Sequence, residues 1–216
     1  MIKGAIFDVD GTLVDSMQMW IHFGENYLRS KGITVGHEFD IKIQYYSLRE
    51  VAEEIAEGFP VGMTADEVEE DCERVTREFY FEKAQLKEGA YDLVRTLYEK
   101  GVRMYIATAT YSALVVPCLE RLGIMKYFEG IVTCSDVGHG KDCPDVFLEA
   151  LKRIEAPANE TWVFEDALHA VKTAKAMGLK VCGIYDPTEE ENREIFEKLC
   201  DLYVADPGKV DFAALI

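Results

Sequence analysis

Two carboxylates stand two residues apart in "AIFDVDGTLVD", residues 5–15. Asp8 interrupts an apolar run of Ala5, Ile6, Phe7 and Val9, and Asp10 follows it, ahead of Gly11 and Thr12. Further polar groups occur at comparable places, each at the end of or just past an apolar run: Thr108 in "IATAT", Lys141 in "GHGKD", and Glu165-Asp166 in "WVFED". Carboxylates crowded into a partly dry cleft repel one another, and leaving them unpaired is costly. A hard divalent cation resolves that conflict, and Mg2+ typically takes one or two carboxylates together with water and substrate phosphate. Lys141 and Thr108 would then face a group that is negative and rich in acceptors, a description that phosphate fits. Gly11 allows a sharp turn that exposes backbone N–H groups.

These residues act together only if one edge of the fold gathers them. Five short apolar runs, rich in β-branched residues, precede or contain them: residues 4–9, 102–108, 130–134, 161–166 and 180–185. Most are apolar throughout rather than alternating, as expected for parallel strands covered on both faces. Helical patterns separate them at 89–101, 144–154 and 167–180. Lys100-Gly101 and Met177-Gly178 are stop signals, and Pro144 suits a first helical turn. Strands alternating with helices predict an α/β fold, a doubly wound, Rossmann-like, mainly parallel sheet. In such sheets the ligand sits beyond the carboxyl ends of the strands, which is where Asp8, Asp10, Thr108, Lys141, Glu165 and Asp166 fall.

Residues 16–85 break the alternation. Three stretches carry apolar residues at helical spacing with a charged opposite face: 17–32, 47–59 and 64–84. Thr64 followed by Glu67 fits a capping box before the third. The reading is a core of residues 1–15 plus 86–216, with a helical domain of residues 16–85 inserted after the first strand.

In four ordered motifs the chain resembles the haloacid dehalogenase superfamily, in its phosphatase and phosphomutase branch with a helical cap inserted after the first strand. "FDVDGTLVDS" is similar to the first family motif, Thr108 stands at the second, "GKDCPDVF" (140–147) at the third and "FEDA" (164–167) at the fourth. The resemblance implies that Asp8 is a nucleophile forming an aspartyl phosphate. It implies that Asp10 is the acid, then the base, of the two half-reactions. Mg2+ would be held by Asp8, the backbone carbonyl of Asp10 and Asp166, with Glu165 nearby or through water. Thr108 and the Ala109 N–H would bind phosphoryl oxygens, and Lys141 would offset charge. The chain departs from the family pattern at Asp142, where Pro is usual, and at Ala167 and Ala170, where Ser and Gly are usual. The expected function is Mg2+-dependent hydrolysis of a small phosphate monoester. A β-phosphoglucomutase-like sugar phosphomutase is the alternative, and a receiver-like phosphoacceptor module is a more distant one. Thr12, and Trp20 where mutase relatives tend to place a His nearby, favour the phosphatase.

Within the cap, Trp20, His22, Tyr45, Tyr46 and Arg49 are the candidates for substrate selection. Core packing competes for Trp20, and an exposed helix charge competes for Arg49. A linker pair near 14–17 and 83–88 is expected to hinge the cap. Asp15 reads either as a helix N-cap or as a support, and stays outside the catalytic set. His139 and His169 read as surface or loop residues, and four histidines without paired spacing predict no histidine metal site. Cys134 and Cys143 lack an obvious base and read as packing.

Composition bounds the rest. The 216 residues carry 23 Lys plus Arg against 40 Asp plus Glu, a net charge of −17. Such a surface repels nucleic acid and anionic membrane, so the expected partner is a small phosphorylated metabolite bound by a monomer. The six cysteines are scattered and read as reduced thiols. The start of the chain has no signal-peptide layout, and no stretch approaches a membrane span. A cytoplasmic location follows as the expectation.

Overall fold

The computed structural model describes residues 2–43 and 48–215. Six strands form one sheet: β1 (Gly4–Phe7), β2 (Arg103–Thr108), β3 (Gly130–Thr133), β4 (Thr161–Glu165), β5 (Lys180–Ile184) and β6 (Leu202–Val204). Their order is β3-β2-β1-β4-β5-β6, and every pairing is parallel. The chain winds outward from β1 to β3, then crosses back to β4 on the other side of β1. The switch point therefore lies between β1 and β4, where open α/β sheets place their ligands. β1 and β4 are buried at every position, which explains their continuous apolar runs. The short edge strand β6, half-buried throughout, has no such run and was not expected.

The chain divides into two compact units. One comprises Met1–Asp15 and Ala84–Ile216, the other Ser16–Lys83. In the sheet-bearing unit, Ile6, Ala107, Val132, Val163 and Val181 pack against Phe147, Ala150, Val171, Ala174 and Phe196 from flanking helices. The other side of β1 and β4 is marked by the stacked rings of Phe7 and Phe164, 4.3 Å apart.

The second unit holds helices α1 (Met17–Ile21), α2 (Phe23–Ser30), α3 (His37–Ile43), α4 (Leu48–Gly58) and α5 (Ala65–Glu78), the last continued by one π-helical turn, Phe79–Lys83. The single pattern read over 17–32 is thus two helices, broken at His22, whose φ of −121° leaves the helical region. Apolar periodicity runs through the break and hides it. Phe23, Tyr27, Leu28, Phe39, Ile55, Val68 and Cys72 form this unit's core. The capping box is present: Thr64 Oγ1 accepts from Glu67 N at 3.3 Å, and the Glu67 carboxylate accepts from Thr64 N at 2.8 Å. Ser16, not Asp15, occupies the N-cap of α1, and Asp15 is exposed. The sheet-bearing unit adds α6 (Ala90–Glu99), α7 (Ser112–Arg121), α8 (Cys134–Val137), α9 (Asp145–Ile154), α10 (Leu168–Ala176) and α11 (Arg193–Leu199). Among the described residues, no helix is long and apolar enough to cross a membrane.

Candidate active site

Parallel pairing brings the carboxylates together. Phe7 lies level with Phe164 across β1 and β4, and Asp8 N donates to Phe164 O at 3.0 Å. Asp8, one residue past β1, therefore sits beside Glu165, which ends β4, and Asp166. Oxygens of Asp8, Glu165 and Asp166 lie within 4.8 Å of one another. All three residues are buried, with Asp8 only 6 % exposed. Lys141, buried as well, donates to Asp8 Oδ1 and, at 2.8 Å, to Glu165 Oε2. Thr12 Oγ1 donates to Asp166 Oδ1 at 2.7 Å, and Ala167 N donates to Glu165 Oε1 at 3.2 Å.

Burial sets the electrostatics. Loss of hydration is the main force on Asp8. Lys141 opposes it, while Glu165 and Asp10 add to it, and the ion-free carboxyl is raised to about 8. Burial, then the charges of Asp8 and Glu165, also push Asp166 well above the usual carboxylate range. Burial works against the Lys141 ammonium, but Asp8 and Glu165 outweigh it and raise its pKa. Two carboxyls that resist ionising, beside a third and one lysine, form an all-oxygen donor set short of positive charge. A hard cation such as Mg2+ fits that set.

Gly11 adopts a φ of 84°, which places Leu13 N and Val14 N back on Val9 O. Thr108 ends β2, is buried, and its Oγ1 accepts from Thr110 N at 3.1 Å. Ala109 is exposed. The Asp10 carboxylate stands apart from the three-carboxylate group, and its Oδ2 accepts from Thr110 Oγ1 at 2.6 Å. Asp142 is exposed, and Ala170 packs into the core. Cys134 packs against the same core, and burial raises its thiol pKa.

Sequence reasoning missed two supports. One is Thr110, two residues beyond Thr108. The other is Lys87, whose Nζ donates to Gly11 O at 2.6 Å, Tyr185 O at 2.8 Å and buried Asp186 at 3.0 Å. "IATAT" repeats its threonine and could have suggested the first. Nothing local signals the second.

In the helical unit, Trp20 Nε1 donates to Tyr80 Oη at 3.0 Å, and its ring lies 5.9 Å from that of Phe23. Arg49 is engaged by Glu53, Asp66 and Glu69 at 2.8, 2.5 and 2.9 Å. Tyr45 and Tyr46 lie outside the described residues. His22 lies near His37, with ring centroids 5.4 Å apart, and both group with Asp40. Spacing along the chain gave no sign of this grouping, in which the fold brings His22 to residues 15 and 18 positions further on.

A family profile described as "Haloacid dehalogenase-like hydrolase" matches residues 5–184, and the chain belongs to that family. It is 27 % identical to "Phosphorylated carbohydrates phosphatase" of Thermotoga maritima, over 83 % of each chain. It is 30 % identical to a Drosophila melanogaster protein described as "Probable pseudouridine-5'-phosphatase", over 86 % of this chain and 83 % of that one. Among solved structures, beta-phosphoglucomutase of Clostridium difficile shares the fold at a TM-score of 0.74, with 18 % identity over 99 % and 95 % of the two chains.

Proposed function

We propose that the protein is a Mg2+-dependent phosphatase of small phosphorylated metabolites, with phosphorylated carbohydrates the leading class, and that it works through an aspartyl phosphate on Asp8. The observation that carries this reading is the convergence of Asp8, Glu165 and Asp166 on one point, with Lys141 paired to two of them. The names of the two curated relatives favour hydrolysis over transfer.

In this reading Asp8, Asp166, Glu165 and the backbone carbonyl of Asp10 hold the cation. When bound, Mg2+ would offset the charge of the transferring phosphoryl group. It would also keep Asp8 ionised, since without it burial, aided by Glu165 and Asp10, outweighs Lys141 and raises that carboxyl to about 8. Asp8 attacks phosphorus while the ester P–O bond breaks, and Asp10 gives its proton to the leaving oxygen. Asp10 then takes a proton from the water that attacks the aspartyl phosphate, which releases inorganic phosphate and restores Asp8. Thr108 Oγ1 and Ala109 N hold the phosphoryl oxygens, and Lys141 balances their charge beside Asp8. Catalysis is mainly positioning and charge stabilisation. Residues 16–83 serve as the cap that selects the substrate.

The test is a turnover assay with Mg2+ over sugar phosphates, phosphoglycolate and nucleotides, with products identified for glucose 1-phosphate. Free phosphate without glucose 6-phosphate is the expected result, and glucose 6-phosphate would assign the mutase instead. Asp8→Asn should lower turnover by about 10^4-fold or more, in line with the loss of a nucleophile elsewhere. Retained turnover overturns the mechanism.

A further inference from the structure

Asp40 of α3 is 4 % exposed. Its Oδ1 accepts from Gly24 N at 2.8 Å and Glu25 N at 3.1 Å, at the start of α2. Its Oδ2 is buried without a hydrogen-bond partner. Leaving a buried carboxylate oxygen unpaired is expensive, and most such atoms find a donor or a cation. Two imidazoles lie close to it. His37 Nδ1 lies 3.7 Å from Asp40 Oδ2, beyond hydrogen-bond length, and the ring centroids of His22 and His37 lie 5.4 Å apart, the rings at a tilt of 50°. One ligating atom from each of His22, His37 and Asp40 falls within a mutual 4.8 Å.

We propose that His22, His37 and Asp40 form a second metal site, for a divalent transition cation of the Zn2+ class. Two imidazoles and one carboxylate suit such an ion, where an all-oxygen set suits Mg2+. Tetrahedral Zn2+ with bonds of about 2.0–2.1 Å needs ligand atoms roughly 3.4 Å apart. The present spacing closes to that by rotation of the His37 ring, which is exposed, while Asp40 is held by α2. The His22 Nδ1 lies 3.6 Å from Glu25 Oε2, a neighbour able to orient that ring as carboxylates do around metal-bound histidines. The fourth position is left to water. Such an ion would tie the α1–α2 junction to the start of α3, adding to the bonds by which Asp40 already holds Gly24 N and Glu25 N.

His139 supplies an internal control. Its Nδ1 lies 3.7 Å from Asp145 Oδ2, the same separation as His37 from Asp40, but without a second imidazole. With four histidines in the chain, their ring signals can be followed by NMR on the full-length protein during ZnCl2 titration with excess Mg2+ at pH 7.5. The expected result is that His22 and His37 move together and saturate at one equivalent, in wild type and in Asp8→Asn alike, while His139 stays in place. His37→Ala, at an exposed position, should weaken the response at His22 by at least about 100-fold, since even partners outside the ligand shell cost about 10–100-fold. Static ring signals, separate affinities for the two rings, or an unchanged His22 response in His37→Ala would overturn the site.

Discussion

The two units handle charge in opposite ways. The sheet-bearing unit buries Asp8, Glu165 and Asp166 at or just past the ends of its central strands, and buried Lys141 links Asp8 to Glu165. The helical unit keeps its ion pairs at the surface. Arg49 spans three exposed or half-exposed carboxylates, and Asp40 is the one buried charged residue among its described residues. Buried charge costs several kcal/mol per ion unless it is paired, whereas surface pairs contribute about 0–1 kcal/mol. The cluster is therefore costly to keep, and under the proposed mechanism its chemistry is the reason to keep it.

Removing one partner from the buried cluster should give the largest stability effect. Lys141→Met leaves Asp8 and Glu165 without their ammonium, and should cost about 3–5 kcal/mol by urea unfolding in EDTA, with part recovered on adding Mg2+. A loss no larger than that of a surface variant would erase the contrast between the units.

Next comes pH. Asp8 and Asp166 have folded-state pKa values raised above their unfolded ones, so the folded protein binds more protons across that interval. Metal-free stability should therefore fall as pH rises from about 4 to about 8. Asp8→Asn should flatten this slope, and Mg2+ should oppose it, because cation binding displaces the protons. Thermal melts in EDTA and in Mg2+ across that range check the sign. A slope unchanged in Asp8→Asn would assign it to the overall charge of −17 instead.

Thr110→Val deletes a donor to Asp10 without adding volume. A hydrogen bond of about 1 kcal/mol corresponds to a fall in kcat of about fivefold, with KM nearly unchanged and the acid–base limb of the pH–rate profile displaced. The smallest effect is expected from Arg49→Ala, with no measurable change in Tm. A tenfold rise in KM for a sugar phosphate would show that Arg49 reaches substrate, and would sharpen the comparison by giving the helical unit a functional charge.

The parts that sequence made legible share one property, that a local pattern encodes them. Asp8, Asp10, Lys141, Glu165 and Asp166 each end or follow a recognisable run, and parallel register gathers Asp8, Glu165 and Asp166 at the edge where open sheets bind ligands. Thr64 and Glu67 obey a fixed capping spacing. What escaped depends on long-range geometry. β6 is too short and too exposed to show a pattern. The break at His22 lies inside unbroken apolar periodicity. Lys87 reaches Gly11 across 76 residues, and His22 meets His37 across two helix boundaries.

The neck of the insertion has an engineering consequence. Val14 bridges Leu86 in antiparallel register, Asp15 N donates to Gln85 O, and Lys87 N donates to Leu13 O. The chain thus departs for its helical excursion and returns through one short ladder, closed by groups that belong wholly to the sheet-bearing unit. Replacing residues 16–83 with a two-residue hairpin turn should therefore leave a foldable scaffold, because the ladder that closes the neck does not draw on them.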